Sequence, residues 1–537
     1  MRGCRYHLID LPMALGREKG DLSACLVQVL GGSPEDYREV ALERLSLDAR
    51  HKGRIRYLAT LRFVSDQAFP DPTLPPGCRM VPAPESPDFT VTRLAHPPRV
   101  VVVGTGPAGL FCTLRLLAHG IQPIVLERGP RMDQRVMKVE RLWNEGVLDP
   151  EANAQFGEGG AGTFSDGKLT TRTGNQFTKH VLDLFVQFGA KPEILYQAKP
   201  HIGTELIQAC VVRMRQWAEG QGAIFRFDTA LQDLRWSRGR ISAALTRTGE
   251  EIPCDHLVLA PGHSARDTFN MLHRHGLNME RKPFAMGLRI EHPQELIDRA
   301  QYGDSAGHPS LGAADYKLVC NLGPDRAAYS FCMCPGGEVI QCASEPGGVV
   351  VNGMSGSQRD SGFANSGLVA KVNVQDFPTD HTLSGMHLQR TWEEAAFRAA
   401  GESYGAPAMS VEDFLKGRAT GRIARQRFRP QAVPADLRRC LPDFVLDQLT
   451  EALPVFERKI RGFTSREAVL LGIESRTSSP VRIVRGENGQ SLSHPGVFPC
   501  GEGAGYAGGI TSAAADGIRI ADLVAGSAPM VDVSALQ

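Results

Sequence analysis

The chain has 537 residues and balances 60 Lys and Arg against 59 Asp and Glu, a formal net charge of +1. That length calls for two to four domains, each burying its own core, and the balanced charge supplies no field to attract nucleic acid or a membrane. Its 12 cysteines show no paired CxxC spacing, which fits reduced thiols rather than a disulfide frame, and no metal-ligand pattern stands out. MRGCRYHLIDLPMALGREKGD is charged too early for a secretory segment, and no run approaches eighteen uninterrupted apolar residues, so a cytoplasmic protein is expected.

Residues 1–70 predict a small βαβ, ferredoxin-like domain. An apolar segment runs from Tyr6 to Leu11. Ser33-Pro34 with Asp36 reads as a helix start, and Tyr37, Val40, Ala41 and Leu45 would mark one face of that helix. Ile55, Tyr57, Ala59, Leu61 and Phe63 alternate as a half-buried strand. Arg50, Lys52, Arg54, Arg56 and Arg62 read either as a solvated face or as a docking surface for an anionic partner or the main body. Residues 71–98 are proline-dense and predict a linker.

The segment 99–280 predicts the first part of a dinucleotide-binding domain. PRVVVVGTGPAGLFCTLRLLAHGIQPIVLERG (Pro98 to Gly129) sets a strand, Val100–Val103, before Gly104, Gly106 and Gly109. A helix and a second strand, ending at Glu127, follow. The first glycine permits the tight turn, the second close approach of a pyrophosphate, and the third close helix–strand packing. Pro107 and Ala108 open a helix whose free N–H groups face that phosphate. Glu127, with Arg128 beside it, stands where an acid accepts hydrogen bonds from a ribose 2′-OH.

Three further segments narrow the dinucleotide to FAD. NAQFGEGGAGTFSDGKLTTR begins at Asn153, and its Gly160, Ala161, Gly162, Thr163, Asp166, Gly167, Lys168 and Leu169 supply N–H groups, hydroxyls and a cation. Short strands between 224 and 260 form a meander returning to a buried strand, which ends in Ala260-Pro261-Gly262. A substrate domain is expected at 281–475, with strands near 284–290, 316–321, 328–334 and 338–343 and helices near 389–402 and 443–460. The nucleotide domain closes at 476–528. There a strand leads to Gly501-Glu502 and, after Gly509, a helix from Ile510 whose N-terminus suits the charge of reduced flavin. A tail is expected at 529–537. The fold class is thus α/β: a Rossmann-type FAD-binding domain with an inserted α+β substrate domain and a small N-terminal βαβ domain.

The words FGEGGAGTFSDGKL (Phe156–Leu169), AKPHIGTE (Ala198–Glu205), KPFAMGLRIEHPQ (Lys282–Gln294), FCMCPGGEVI (Phe331–Ile340), NGMS (Asn352–Ser355) and RTSSPVRI (Arg476–Ile483) resemble the FAD-dependent dehydrogenase family. Its members share the glutathione-reductase-like FAD-binding fold in the branch with one nucleotide domain. The resemblance, which includes SLDARHKGRIRY (Ser46–Tyr57), spans nearly the whole chain. It implies FAD and oxidoreductase chemistry and leaves the substrate and the external electron donor or acceptor open.

No second GxGxxG follows residue 130, so a separate nicotinamide domain is not expected. Cys112 stands alone beside the first helix, and Cys332 and Cys334 read more readily as packing than as a redox pair. The candidate catalytic groups are Lys168, as a stabiliser of reduced flavin, Arg476, as a clamp for a substrate carboxylate or a proton donor, and His263. Asn352, Arg359 and Asn365 are candidates to line a pocket. The leading reading is an FAD-dependent oxidoreductase exchanging a hydride with a small substrate. The alternative is a flavoprotein with structural FAD that binds a partner or RNA through its basic N-terminal run.

Overall fold

The computed structural model describes residues 4–526 apart from 18–19, 68, 70–71, 85–88, 90, 92 and 172–175; the tail expected at 529–537 lies outside the described residues. The N-terminal sheet orders its strands Arg38–Asp48, Arg56–Ser65, Cys4–Met13 and Arg79–Pro82, and every neighbouring pair is antiparallel. Its helix is Leu22–Leu30, capped by Asp21, whose carboxylate accepts from the Ser23 and Ala24 N–H groups.

The helix expected from Ser33 through Leu45 is instead a strand. The capping box is real: Asp36 accepts from the Ser33 N–H at 2.7 Å and from its hydroxyl at 3.2 Å. It closes only the single turn Pro34–Asp36, because Glu39 then takes φ 49° and the chain runs out as Arg38–Asp48 along Arg56–Ser65. Apolar residues three and four apart fit a bulged strand as well as a helix face, and here tertiary pairing decides. The strand Arg79–Pro82 lies inside the proline-dense stretch, so the small sheet draws its last strand from the expected linker.

The basic run is largely neutralised within this unit. Asp48 pairs with Arg50 and Arg56, and Glu43 and Glu39 pair with Arg62. The unit sits on the rest of the chain: the Leu45 N–H donates to the Tyr196 carbonyl, the Ala198 N–H donates to the Leu45 carbonyl, and the Tyr57 hydroxyl donates to the Ser310 carbonyl at 2.6 Å.

A five-stranded parallel sheet orders Val497–Pro499, His256–Leu259, Val100–Val103, Ile124–Leu126 and Ile224–Arg226. Its strands are short apolar runs because both faces are covered, one by the helices Pro107–Ala118 and Ile510–Gly526, the other by the strands Leu231–Ser237 and Arg240–Thr246 with the helix Arg266–Arg274. The helices Pro107–Ala118 and Ile510–Gly526 pack at backbone distance, since a Cβ on Gly517 would overlap the Ala108 carbonyl oxygen. The antiparallel meander Leu231–Ser237, Arg240–Thr246 and Glu251–Pro253 precedes His256–Leu259.

A seven-stranded sheet holds the second large core. Its order is Val319–Asn321, Ala327–Cys334, Phe363–Val372, Phe284–Pro293, Val469–Glu474, Ala406–Ser410 and Ala432–Pro434. The alternation in Phe284–Pro293 divides its faces. Met286, Leu288 and Ile290 join the apolar cluster with the helix Asp443–Lys459. Arg289 and Glu291 point to the opposite face, and both are buried.

Candidate functional site

Three glycine turns converge because they leave the same edge of the parallel sheet. Gly104 follows Val103, Ala260 follows Leu259, and Gly501 stands two residues beyond Pro499, all at carboxyl ends of adjacent strands. The chain returns on opposite sides of Val100–Val103, which makes this edge the switch point where open α/β sheets take ligands. The turns touch: Gly104, at φ 99°, has no room for a Cβ against the Ala260 carbonyl, and a Cβ on Gly503 would stand 2.6 Å from the Gly262 oxygen.

The loop Gly157–Leu169 closes over this edge. A Cβ on Gly160 would lie 2.8 Å from the Gly106 Cα, and one on Gly162 3.1 Å from Ile510. The Thr511 hydroxyl donates to the Leu169 carbonyl at 2.8 Å. Arg135, wholly buried, shapes the loop by donating to the carbonyls of Asn153, Ala154, Glu158 and Gly160 and to the Thr163 hydroxyl. Among the described residues no side chain caps the helix N-terminus at Gly106, which lies beside Gly160; Pro107 has no N–H, so the open donors are those of Gly106 and Ala108.

These features fit a dinucleotide held by backbone, and they reassign the acid expected to read its ribose. Glu127 is 5% exposed, and one oxygen accepts from the Thr105 N–H (3.0 Å) and hydroxyl (2.6 Å). The other accepts from the Gly129 and Gly157 N–H groups at 3.1 and 3.0 Å. A carboxylate offers about four acceptor positions, so none is left for a sugar. Glu127 is a tie between the glycine turn and the covering loop. Arg128 is likewise taken up, by Glu151, Asp267 and the face of Phe156.

The three expected catalytic groups separate. Lys168 stays at the site: Nζ is shut off from solvent and, among the described residues, has no hydrogen-bond partner, with Asp166 in an ion pair at 3.7 Å. Burial works against its charge, yet Cys334, Cys332 and Asp166 hold its pKa above the ordinary lysine value. His263 pairs through Nδ1 with Glu502 at 3.4 Å, and its buried Nε2 has no hydrogen-bond partner among the described residues. Arg476 does not fit the substrate clamp expected of it. Its guanidinium lies on Glu393 (3.0 and 2.9 Å) and Ser344 (2.6 Å), and Glu393 also holds Arg266. That buried network joins the end of the seven-stranded sheet to the helix Arg266–Arg274.

Beside Lys168 stand Asp166 and Arg359, both named from the sequence, and two groups that the sequence reading passed over, His201 and Arg289. Asp166, 1% exposed, is held by Arg359 at 2.6 and 3.2 Å. His201 bridges the strand-like residue Lys168, and burial brings the His201 pKa down to about 4, leaving it neutral. Arg289 pairs with Glu474 at 2.8 Å and donates to Asn365, to the Cys332 carbonyl and to the Cys334 sulfur at 3.4 Å. Asn352 and Asn365 therefore do gather here, around Arg289. The signal for Arg289 was in KPFAMGLRIEHPQ, where an arginine occupies the face opposite Leu288 and Ile290.

The model of the family described as FAD-dependent protein, C-terminal domain-like, matches residues 283–477. An uncharacterised protein of Clostridium beijerinckii (strain ATCC 51743 / NCIMB 8052) is 45% identical over 433 residues, covering 79% of this chain and 80% of its own. Among solved structures, a geranylgeranyl bacteriochlorophyll reductase-like protein from Thermoplasma acidophilum is similar at 11% identity and a TM-score of 0.34, over 80% of this chain and 79% of that one. The glycerol-3-phosphate dehydrogenase from Bacillus halodurans complexed with FAD is similar at 12% identity and a TM-score of 0.35, over 80% and 65%.

Proposed function

This chain belongs to the family of FAD-dependent proteins, and we propose on that premise that it is an oxidoreductase exchanging a hydride between FAD and a small substrate. The cofactor when bound supplies the hydride chemistry, and the protein supplies position and charge. The observation that carries the reading is the convergence of four glycine-rich segments on one sheet edge, with the buried Lys168 amine among them.

Gly104, Gly106 and Gly160 keep side chains away from the pyrophosphate path, and the uncapped N–H groups of Gly106 and Ala108 are its donors. His263 and Glu502 stand at the carboxyl ends of neighbouring strands and suit the polar middle of the cofactor. Lys168, held cationic by its neighbours, favours negative charge developing beside it. The N-terminus of the helix Ile510–Gly526, packed against Gly162, acts in the same sense.

The domain plan that supports this reading is a nucleotide-binding part, 99–280 with 476–528, carrying an inserted substrate part at 281–475. The test is flavin content and potential. The purified protein should be yellow, and Lys168→Met should keep FAD while lowering its two-electron potential by on the order of 30 mV. A colourless protein that takes up no FAD on refolding would overturn the proposal.

A further inference from the structure

Cys332 and Cys334 form a built pair that hydride exchange leaves unused. Their strand pairs regularly with Phe363–Val372 as far as Phe331, then slips before Cys334 meets Asn365. Cys332 lies within the slip at φ 42°, a left-handed conformation that a cysteine rarely adopts. In a flat strand, residues two apart are separated by about 6.6 Å, the upper end of what a disulfide spans. A bulge bends the strand locally, and here the Cys334 side chain turns back onto Cys332, its thiol donating to the Cys332 carbonyl oxygen at 3.3 Å.

The surroundings favour thiolate chemistry. Arg289 lies 3.4 Å from the Cys334 sulfur, and both cysteines stand close enough to Lys168, the amine of the covering loop, to raise its pKa. The neighbouring Cys334 side chain, with the Lys168 amine and the Arg289 guanidinium, draws the Cys332 thiol below the ordinary cysteine range. Cys334 is fully buried and Cys332 only partly so. The less buried residue with its buried neighbour behind it is the disposition of an attacking and a resolving cysteine.

We propose that Cys332 and Cys334 are a redox dithiol that closes to a disulfide as it reduces FAD, which makes thiols the substrate class of this enzyme. Two S–H bonds break and one S–S bond forms, and two electrons and two protons pass to FAD to give FADH2. Two external thiols then reopen the bond by exchange and leave as their own disulfide. The flavin step rests on the FAD reading above; the dithiol itself does not.

Two measurements separate these. The protein is treated with diamide, alkylated with iodoacetamide, digested and weighed. The peptide carrying Cys332 and Cys334 should be two hydrogens lighter than its reduced form and unalkylated. Finding both cysteines alkylated would overturn the dithiol whether or not flavin is present. The diamide-treated holoprotein is then titrated anaerobically with dithionite. Wild type should consume four electrons per FAD, and Cys332→Ser and Cys334→Ser two each. Two electrons in wild type would overturn the proposal, whereas absence of FAD would overturn only the flavin reading and its electron step.

Discussion

Thr105 and Glu127 are joined twice, the backbone N–H and the hydroxyl of the threonine both donating to one carboxylate oxygen at 3.0 and 2.6 Å. The same hydroxyl accepts from the Gly159 N–H at 3.2 Å. One side chain thus locks the glycine turn, the second strand and the covering loop into a single shape. Thr105→Val should leave a buried carboxylate one donor short, at a cost of about 1–3 kcal/mol. Urea unfolding should show that loss together with faster release of FAD.

Gly160 and Gly262 both have positive φ, 62° and 75°, but different surroundings. A Cβ at Gly160 meets the Gly106 backbone, whereas one at Gly262 meets nothing within 4 Å. Gly160→Ala should abolish flavin retention by pushing the covering loop off the turn. Gly262→Ala should bear only the conformational penalty, about 1 kcal/mol, and keep its flavin. Absorbance at the flavin band after gel filtration distinguishes them.

Glu393 holds two buried arginines, Arg266 and Arg476. Burial opposes its charge, but the two guanidinium groups hold its carboxyl well below the usual carboxylate range. Its contribution is therefore full above the ordinary glutamate range and is lost as pH falls toward the depressed folded value. Glu393→Gln should cost about 3 kcal/mol near neutrality, because it leaves two buried guanidinium groups to share the carboxylate of Glu345. Thermal unfolding with and without the substitution checks this, and the gap between the two proteins should narrow in acid.

His292 lies in the core, its Nε2 on the Phe463 carbonyl at 2.9 Å and its Nδ1 without a partner. Burial brings its pKa down to about 4 from an ordinary 6.5. The unfolded chain then binds a proton that the folded chain refuses, so stability falls as pH drops from about 6.5 to 4. His292→Gln should remove about 2 kcal/mol of that fall while lowering stability at pH 7. Denaturant midpoints at pH 7 and 4.5 measure both effects.

The elements that carry the site were legible where the constraint is local. Gly104, Gly106 and Gly109 mark a strand-to-helix turn whatever surrounds it, and the helices Asp443–Lys459 and Ile510–Gly526 follow an apolar period over many residues. The stretch from Tyr37 to Leu45 was misread because nine residues with apolar positions three and four apart satisfy two periods at once. Cys332 and Cys334 were set aside on the geometry of a regular strand, and the bulge that turns them together depends on a register with Phe363–Val372.

The sequence by itself determined where the backbone must bend and approach closely, and with it the class of cofactor. Those demands are written in glycines and apolar periods, which act over a few residues. The tertiary structure alone decided which charged groups remain free. Glu127, Arg128 and Arg476 are consumed by Gly157, Asp267 and Glu393, the last two more than 80 residues away in the chain, while Lys168 keeps an ion pair with Asp166 and, among the described residues, no hydrogen bond. A buried charge takes whatever partner the fold brings within hydrogen-bond reach, and that neighbour is not encoded near it in the chain.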